Sequence, residues 1–70
     1  MSENTVEIYS EYITLGQFLK LTDFIGNGGE AKFFLAEEEV KVNGEKESRR
    51  GRKLYPSDRI EIDGEVFVIR

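Results

Sequence analysis

Apolar residues recur at the spacing i, i+3, i+4 in two windows of the chain: Leu15, Phe18 and Leu19, then Ala31, Phe34 and Leu35. This spacing places all three residues of a window on one face of a helix. It predicts a first helix over residues 15–22, with Thr14 as its N-cap, and a second helix over residues 29–39. We therefore expect two short helices that share one apolar core.

The segment between the predicted helices is rich in glycine. It reads IGNGG at residues 25–29, and both Gly and Asn tolerate positive φ. We expect a tight turn here, which makes the two helices a helix–turn–helix-like pair.

Other segments alternate between apolar and polar residues, which is the period of a β-strand. These segments are residues 5–9, 40–47, 59–63 and 65–69. Asn43-Gly44 and Asp63-Gly64 favour hairpin turns. The predicted order is β-α-α-β-β-β, an α+β fold in which the helix pair packs on a small, mostly antiparallel sheet. Residues 1–70 are expected to form one domain.

Composition argues against several classes of function. The chain has no His and no Cys, so the commonest general base, metal ligand and thiol nucleophile are missing. We expect no enzyme activity, no cofactor, no metal site and no small-molecule substrate. No apolar run approaches the length of a membrane span, and the N-terminus lacks a signal-peptide pattern. A cytoplasmic protein without a membrane partner is expected.

Charge is sorted along the sequence. The formal net charge is −4, yet residues 1–40 carry −6, residues 41–60 carry +4 and residues 61–70 carry −2. The positive charge is concentrated in what we call the basic loop, residues 49–53, which contains Arg49, Arg50, Arg52 and Lys53. A basic cluster in an acidic chain indicates a partner that carries negative charge, such as RNA.

The ordered motifs resemble a known family. LGQFLK at residues 15–20, VKVNG at 40–44, the basic stretch and DRIEI at 58–62 resemble the S-four RNA-binding domain, named after ribosomal small-subunit protein four. The resemblance covers about residues 13–63. Its nearest branch is the small stand-alone YaaA-like proteins, which are similar in the segments GGxAK and RRGRKLY. It implies an αL-type RNA-binding motif.

The resemblance implies an RNA-binding surface formed by the two helices and the following loop, with structured ribosomal RNA or a ribosomal particle as the partner. Carried over by position, it indicates Lys20, Gly28, Gly29, Lys32, Lys41, Asn43, Arg49, Arg50, Arg52 and Lys53. This chain departs from the family pattern twice. Many members have Ser-Arg where it has Gly28-Gly29, and Gly-Asp is usual where it has Ser57-Asp58.

The residue types fit phosphate binding. Arginine donates two hydrogen bonds from a planar fork, and Gly51 favours a flexible loop with several donors. The backbone N–H groups at Gly28 and Gly29 are a second candidate phosphate site. Simpler roles compete with these: Asn43 serves its hairpin turn, the glycines serve a turn, and Tyr55 packs on the sheet rather than on a base.

Two other functions remain open. Ubiquitin-like sulfur carriers resemble this chain in VxVNG and the late IxI strand, but they end in Gly-Gly, whereas this sequence ends in Phe67–Arg70. A protein–protein adaptor could dock the basic loop on an acidic partner. For the RNA-binding hypothesis we expect a monomer in which the basic loop lies near Lys20 and Lys32.

Overall fold

The computed structural model describes residues 3–70, which form two helices on one face of a sheet. The helices are α1 (Leu15–Leu21) and α2 (Ala31–Glu37). The strands are β1 (Glu3–Val6), β2 (Ile13–Thr14), β3 (Val40–Val42), β4 (Glu45–Lys46), β5 (Lys53–Leu54), β6 (Arg59–Ile62) and β7 (Glu65–Ile69). The predicted α+β class is confirmed.

The main sheet has five strands in the order β1-β7-β6-β3-β4. Strand β1 runs parallel to β7, and every other pair in this sheet is antiparallel. The short strands β2 and β5 form a separate antiparallel pair. Sequence reasoning missed this pair, because two residues are too few to show an alternating pattern.

Both predicted apolar stripes face the core. Phe18 and Leu19 are fully buried, Leu35 is nearly so, and Phe34 packs against the cluster from its edge. The sheet contributes alternate residues to the same cluster: Val40, Val42, Ile60, Ile62, Phe67 and Ile69. The residues between them, such as Glu61, point to the opposite face, as the pleat of a strand requires.

The two hairpin predictions are confirmed. Asn43 and Gly44 have φ of 52° and 86°, and Asp63 and Gly64 have φ of 50° and 79°. Positive φ at both central residues is what a type I′ turn requires. These turns set the registers of β3 with β4 and of β6 with β7.

The connection between the helices differs from the expectation. None of its glycines has positive φ; the left-handed residue is instead Asp23, with φ of 63°. Residues 28–30 form a single 3₁₀ turn ahead of α2, so the helix begins at Ala31 and not at Gly29. It also ends before Glu39, because Glu38 is already extended toward β3.

The first strand also differs from its prediction. It was expected at residues 5–9 and occupies Glu3–Val6. Its extent is set by its parallel partner: Val6 is aligned with Ile69, the last residue of β7. Two hydrogen bonds continue the pairing, from Arg70 N to Val6 O at 2.9 Å and from Ile8 N to Arg70 O at 3.0 Å. A local pattern cannot reveal where a distant partner strand stops.

Ser57 has a backbone conformation that suits glycine. Its φ is 85°, while its N–H donates to Ile69 O at 2.8 Å and so fixes the turn between β5 and β6. This position is where the family pattern has glycine. A non-glycine residue in the left-handed region costs about 1–2 kcal/mol.

We predict that Ser57→Gly increases the free energy of unfolding by up to about 1 kcal/mol, because relief of the strain exceeds the added entropy of the unfolded chain. Urea denaturation monitored by circular dichroism measures this change. The control, Ser57→Ala, removes the hydroxyl but keeps the strain, so it should give no gain. Equal stability of the two variants would contradict the role of φ.

Candidate nucleic-acid interface

The carboxylate of Glu47 lies at the centre of the arginine-rich segment. Its side chain is only 8% exposed. Oε2 accepts hydrogen bonds from Ser48 N (3.1 Å), Arg49 N (3.0 Å) and Arg49 Nε (3.0 Å). Oε1 accepts from Arg49 Nη2 (3.1 Å) and Arg52 Nη1 (2.8 Å). The loop therefore folds around a single acidic side chain.

These contacts strongly favour the ionised form of Glu47. The hydrogen bonds from Arg49 and then from Arg52 lower the pKa of the Glu47 carboxyl from 4.5 to about 2, although its burial acts in the opposite direction. The same contact raises the pKa of Arg49. Part of the hydrogen-bonding capacity of Arg49 and Arg52 is therefore used within the protein. These bonds hold the loop in place, whereas the sequence suggested a flexible loop.

The main chain of the basic loop caps α1. Leu15 N donates to Arg52 O and Gly16 N donates to Arg50 O, both at 2.8 Å. Gln17 N donates to the hydroxyl of Thr14 at 3.3 Å, and the side-chain oxygen of Gln17 accepts from Thr14 N at 2.9 Å, which completes a capping box. Because carbonyl groups of the loop accept hydrogen bonds from the first two N–H groups of α1, the loop is fixed against this helix.

Gly16 lies at this close approach. A Cβ atom at this position would lie 3.4 Å from Arg50 O and 3.8 Å from the Cβ of Ala31 at the start of α2. These are ordinary van der Waals distances, so a methyl group would fit here in contact with both neighbours. Residue 16 is therefore the position at which α1, α2 and the loop come together.

An open groove of about 460 Å³ lies along this junction. Its walls include Lys20 near the end of α1, Gly28 in the connection between the helices, and Arg50 in the basic loop. It is lined by Thr14, Gly16, Gln17, Lys20, Gly28, Arg50 and Gly51. Three residues predicted from separate parts of the sequence thus meet in one groove.

The other cations of the loop face a neighbouring depression of about 500 Å³. Arg49, Arg52 and Lys53 line it, together with Tyr55. Gly51 lines both this depression and the groove, so the two are adjacent. The expected proximity of the basic loop and Lys20 is therefore observed.

Lys41 and Asn43 lie elsewhere. Lys41 is aligned with Glu61 in the sheet, between the buried Val40 and Val42, so it points away from the helices. With Glu61 it lines a small acidic pocket that also includes Glu39 and Asp63. The structure does not bring Lys41 to the groove.

Asn43 is used by the fold itself. Its Nδ2 donates to Asp58 Oδ1 and its Oδ1 accepts from Arg59 N, both at 3.0 Å. Its own N–H donates to Arg59 O at 2.7 Å. These contacts tie the β3–β4 turn to β6, which agrees with the simpler role expected for this residue.

The glycine turn is a poorer phosphate site than the sequence suggested. Gly29 N already donates to the side chain of Asn27 at 3.0 Å, and Gly26 N donates to the Glu30 carboxylate at 3.1 Å. That carboxylate would repel an anion. Lys32 is exposed on α2 and does not line the groove, so only Gly28 of this region does.

Sequence reasoning missed Glu47 and Gln17. At the level of sequence Glu47 contributes only to the net charge of residues 41–60, although its place two residues before Arg49 was a usable signal. Gln17 is the third residue of α1 and matches the capping-box spacing after Thr14. Glu47 shapes the loop through its contacts with Arg49 and Arg52, whereas Gln17 caps the start of α1, against which the loop lies.

Other kinds of site find no support in the part of the chain that the structure describes. Within residues 3–70, no three side chains of the His, Cys, Asp or Glu types come together in a way that could hold a metal ion. No helix in that range is long and apolar enough to cross a membrane.

We predict that Glu47→Gln lowers the free energy of unfolding by about 2 kcal/mol at neutral pH, because the amide cannot hold both arginines. The folded-state pKa is depressed, so this stabilisation is complete above about pH 4.5 and is lost as the pH falls toward 2. The difference between wild type and variant should shrink across that range in urea denaturation.

The matched control for this prediction is Glu45→Gln, which removes an exposed carboxylate two residues earlier on β4. It should change stability by less than about 0.5 kcal/mol. A Glu47→Gln variant with wild-type stability at neutral pH would show that the carboxylate does not hold the loop.

Comparison with known proteins agrees with this architecture. The family model described as "S4 domain" matches residues 6–70. A curated relative from Bacillus subtilis (strain 168), named "Probable ribosome maturation protein RlbA", is 61% identical over 61 residues, which cover 87% of this chain and 86% of the relative. The resemblance found in the sequence is confirmed: this chain belongs to the S4 domain family.

Proposed function

We propose that this protein is a non-catalytic RNA-binding protein whose groove binds structured RNA, and that its target is ribosomal RNA in a ribosomal particle. The S4 domain match supports RNA as the ligand class. The name of the Bacillus relative, a probable ribosome maturation protein, supports the ribosomal assignment and a place of action in the cytoplasm.

The observation that carries the proposal is the groove between Lys20 and Arg50. Both side chains are exposed, and the glycines between them leave the backbone accessible. An arginine can bind a phosphate through two parallel hydrogen bonds, whereas a lysine acts as a mobile point charge. Together they suit a ligand whose phosphates follow one another along a backbone.

The four cations of the basic loop have two different roles in this proposal. Arg49 keeps its side chain 75% exposed while Nε and Nη2 bind Glu47, so its Nη1 is available to RNA. Arg52 is only 31% exposed and mainly holds the loop. Arg49, Arg50 and Lys53 are the direct phosphate contacts in this proposal, while Arg52 positions them.

Acidic residues set the orientation of binding. The face of the sheet opposite the helices carries Glu39, Glu61 and Asp63 around one pocket. The nearby carboxylate of Asp63 also raises the pKa of Glu38, which is the direction expected between neighbouring negative charges. RNA approaching this face would be repelled, so binding is restricted to the groove.

Protein docking is the main competing function. An acidic protein could bind the same cations, but nothing in the comparisons names such a partner. Capture of ribosomal particles by the tagged protein, with and without nuclease, separates the two: association through RNA is lost after digestion, and association with a protein persists. The family match gives no support to a sulfur carrier.

We predict that Arg50→Ala and Lys20→Ala each weaken binding to a ribosomal RNA fragment by about fivefold to tenfold, through loss of a charge-assisted phosphate contact. Fluorescence anisotropy over a range of salt concentrations measures this. Each variant should also make the log–log salt dependence shallower by roughly one unit of slope. Circular dichroism establishes that the variants remain folded.

The control for these variants is Lys41→Ala, which removes the same charge from the opposite face of the sheet. It should leave affinity within about twofold of wild type. An effect of Lys41→Ala as large as that of Arg50→Ala would mean that net charge governs binding and that the groove is not the site.

A further inference from the structure

A pair of tyrosines lies just beyond the ends of β2 and β5. Ile13 is aligned with Leu54, and both are buried. Tyr12 immediately precedes β2 and Tyr55 immediately follows β5, so the two are neighbours past this end of the strand pair, and both are exposed. Their ring centroids are 5.7 Å apart, with the planes inclined at 48°.

These rings are not part of the core. Tyr12 is 37% exposed and Tyr55 is 42% exposed, and neither belongs to the apolar cluster or to the side chains packed on its edge. The sequence favoured packing on the sheet for Tyr55, and the structure instead pairs it with another exposed ring. A large exposed aromatic pair therefore needs a reason other than core packing.

Cations flank the pair. Lys53 Nζ lies 4.9 Å from the centroid of the Tyr12 ring, within the range of a cation–π contact. Arg49, Arg52 and Lys53 line the depression that Tyr55 also borders. Planar aromatic surface beside several phosphate-binding side chains is the combination that recognises an unstacked nucleotide.

We propose that Tyr55 is the stacking platform for an unpaired nucleobase of the bound RNA, with Lys53 and Arg49 holding its phosphates. This subsite rests on the proposed function and extends it, because it requires a base that is not inside a helix. Gly51 borders both the groove and this depression, so a single RNA strand can continue from Arg50 to Tyr55.

Tyr55 suits this role better than Tyr12. Lys53 already covers Tyr12, and Glu11 lines a neighbouring depression with Tyr12, where it would repel a phosphate. The main chain of Tyr55 is fixed: its N–H donates to Asp58 Oδ2 at 2.8 Å, and its carbonyl accepts from Asp58 N at 3.0 Å. Tyr12 supports the ring from the side, so the platform is ordered before a base arrives.

The test uses two RNA hairpins that differ by one nucleotide: a ribosomal RNA hairpin with a single bulged adenosine, and the same hairpin without the bulge. Wild-type protein should prefer the bulged hairpin. Tyr55→Leu keeps an apolar side chain but has no ring to stack on, and it should weaken binding to the bulged hairpin about tenfold. Binding to the hairpin without the bulge should not change. Tyr55→Phe keeps the ring and should retain the preference.

The outcomes separate this proposal from the function on which it rests. If wild type and Tyr55→Leu bind both hairpins alike, stacking is refuted and RNA binding through the groove stands. If Arg50→Ala weakens both hairpins while Tyr55→Leu weakens only the bulged one, both proposals are supported. If wild type binds neither hairpin, both are overturned. Thermal denaturation of each variant checks that the β2–β5 pair survives the substitution.

Discussion

The shape of the basic loop depends on the hydrogen bonds that the carboxylate of Glu47 accepts. Four cations within five residues repel one another and would by themselves favour an extended, solvated segment. Glu47 reverses this by binding Arg49 and Arg52 and two main-chain N–H groups from a position that is almost fully buried. The loop then turns back on itself, and the carbonyl groups of Arg50 and Arg52 accept hydrogen bonds from the start of α1.

That arrangement makes the helix and the loop stabilise each other. A helix of seven residues is too short to be stable alone, and its first N–H groups need acceptors. Arg50 O and Arg52 O supply two of them, and the Thr14 hydroxyl supplies another. In a chain of 70 residues with a small core, such polar contacts carry part of the stability. The contacts that form the groove are therefore also contacts that hold the fold.

This dependence explains what the sequence could and could not predict. The helix stripes around Phe18 and Leu35 and the turns at Asn43 and Asp63 were predictable, because each arises from residues a few positions apart. The meeting of Lys20 with Arg50 was predictable only through a family resemblance. Other features depend on side-chain contacts and strand pairing, which cannot be predicted from the spacing of apolar residues. They are the role of Glu47, the β2–β5 pair and the hydrogen bonds around Gly29.

In the proposed function, an acidic chain gains selectivity by binding RNA through one basic groove. With a net charge of −4, the molecule as a whole is repelled by nucleic acid, so weak binding to any available phosphate is suppressed. Attraction is expected only near the groove, where Lys20 and Arg50 line the same surface, because the acidic residues around Glu61 line a different pocket. Binding then requires an RNA whose shape lets phosphates reach both cations at once. The contacts of Glu47 with the loop sharpen that requirement, because they keep the main chain of Arg50 against α1 and so limit where its side chain can reach.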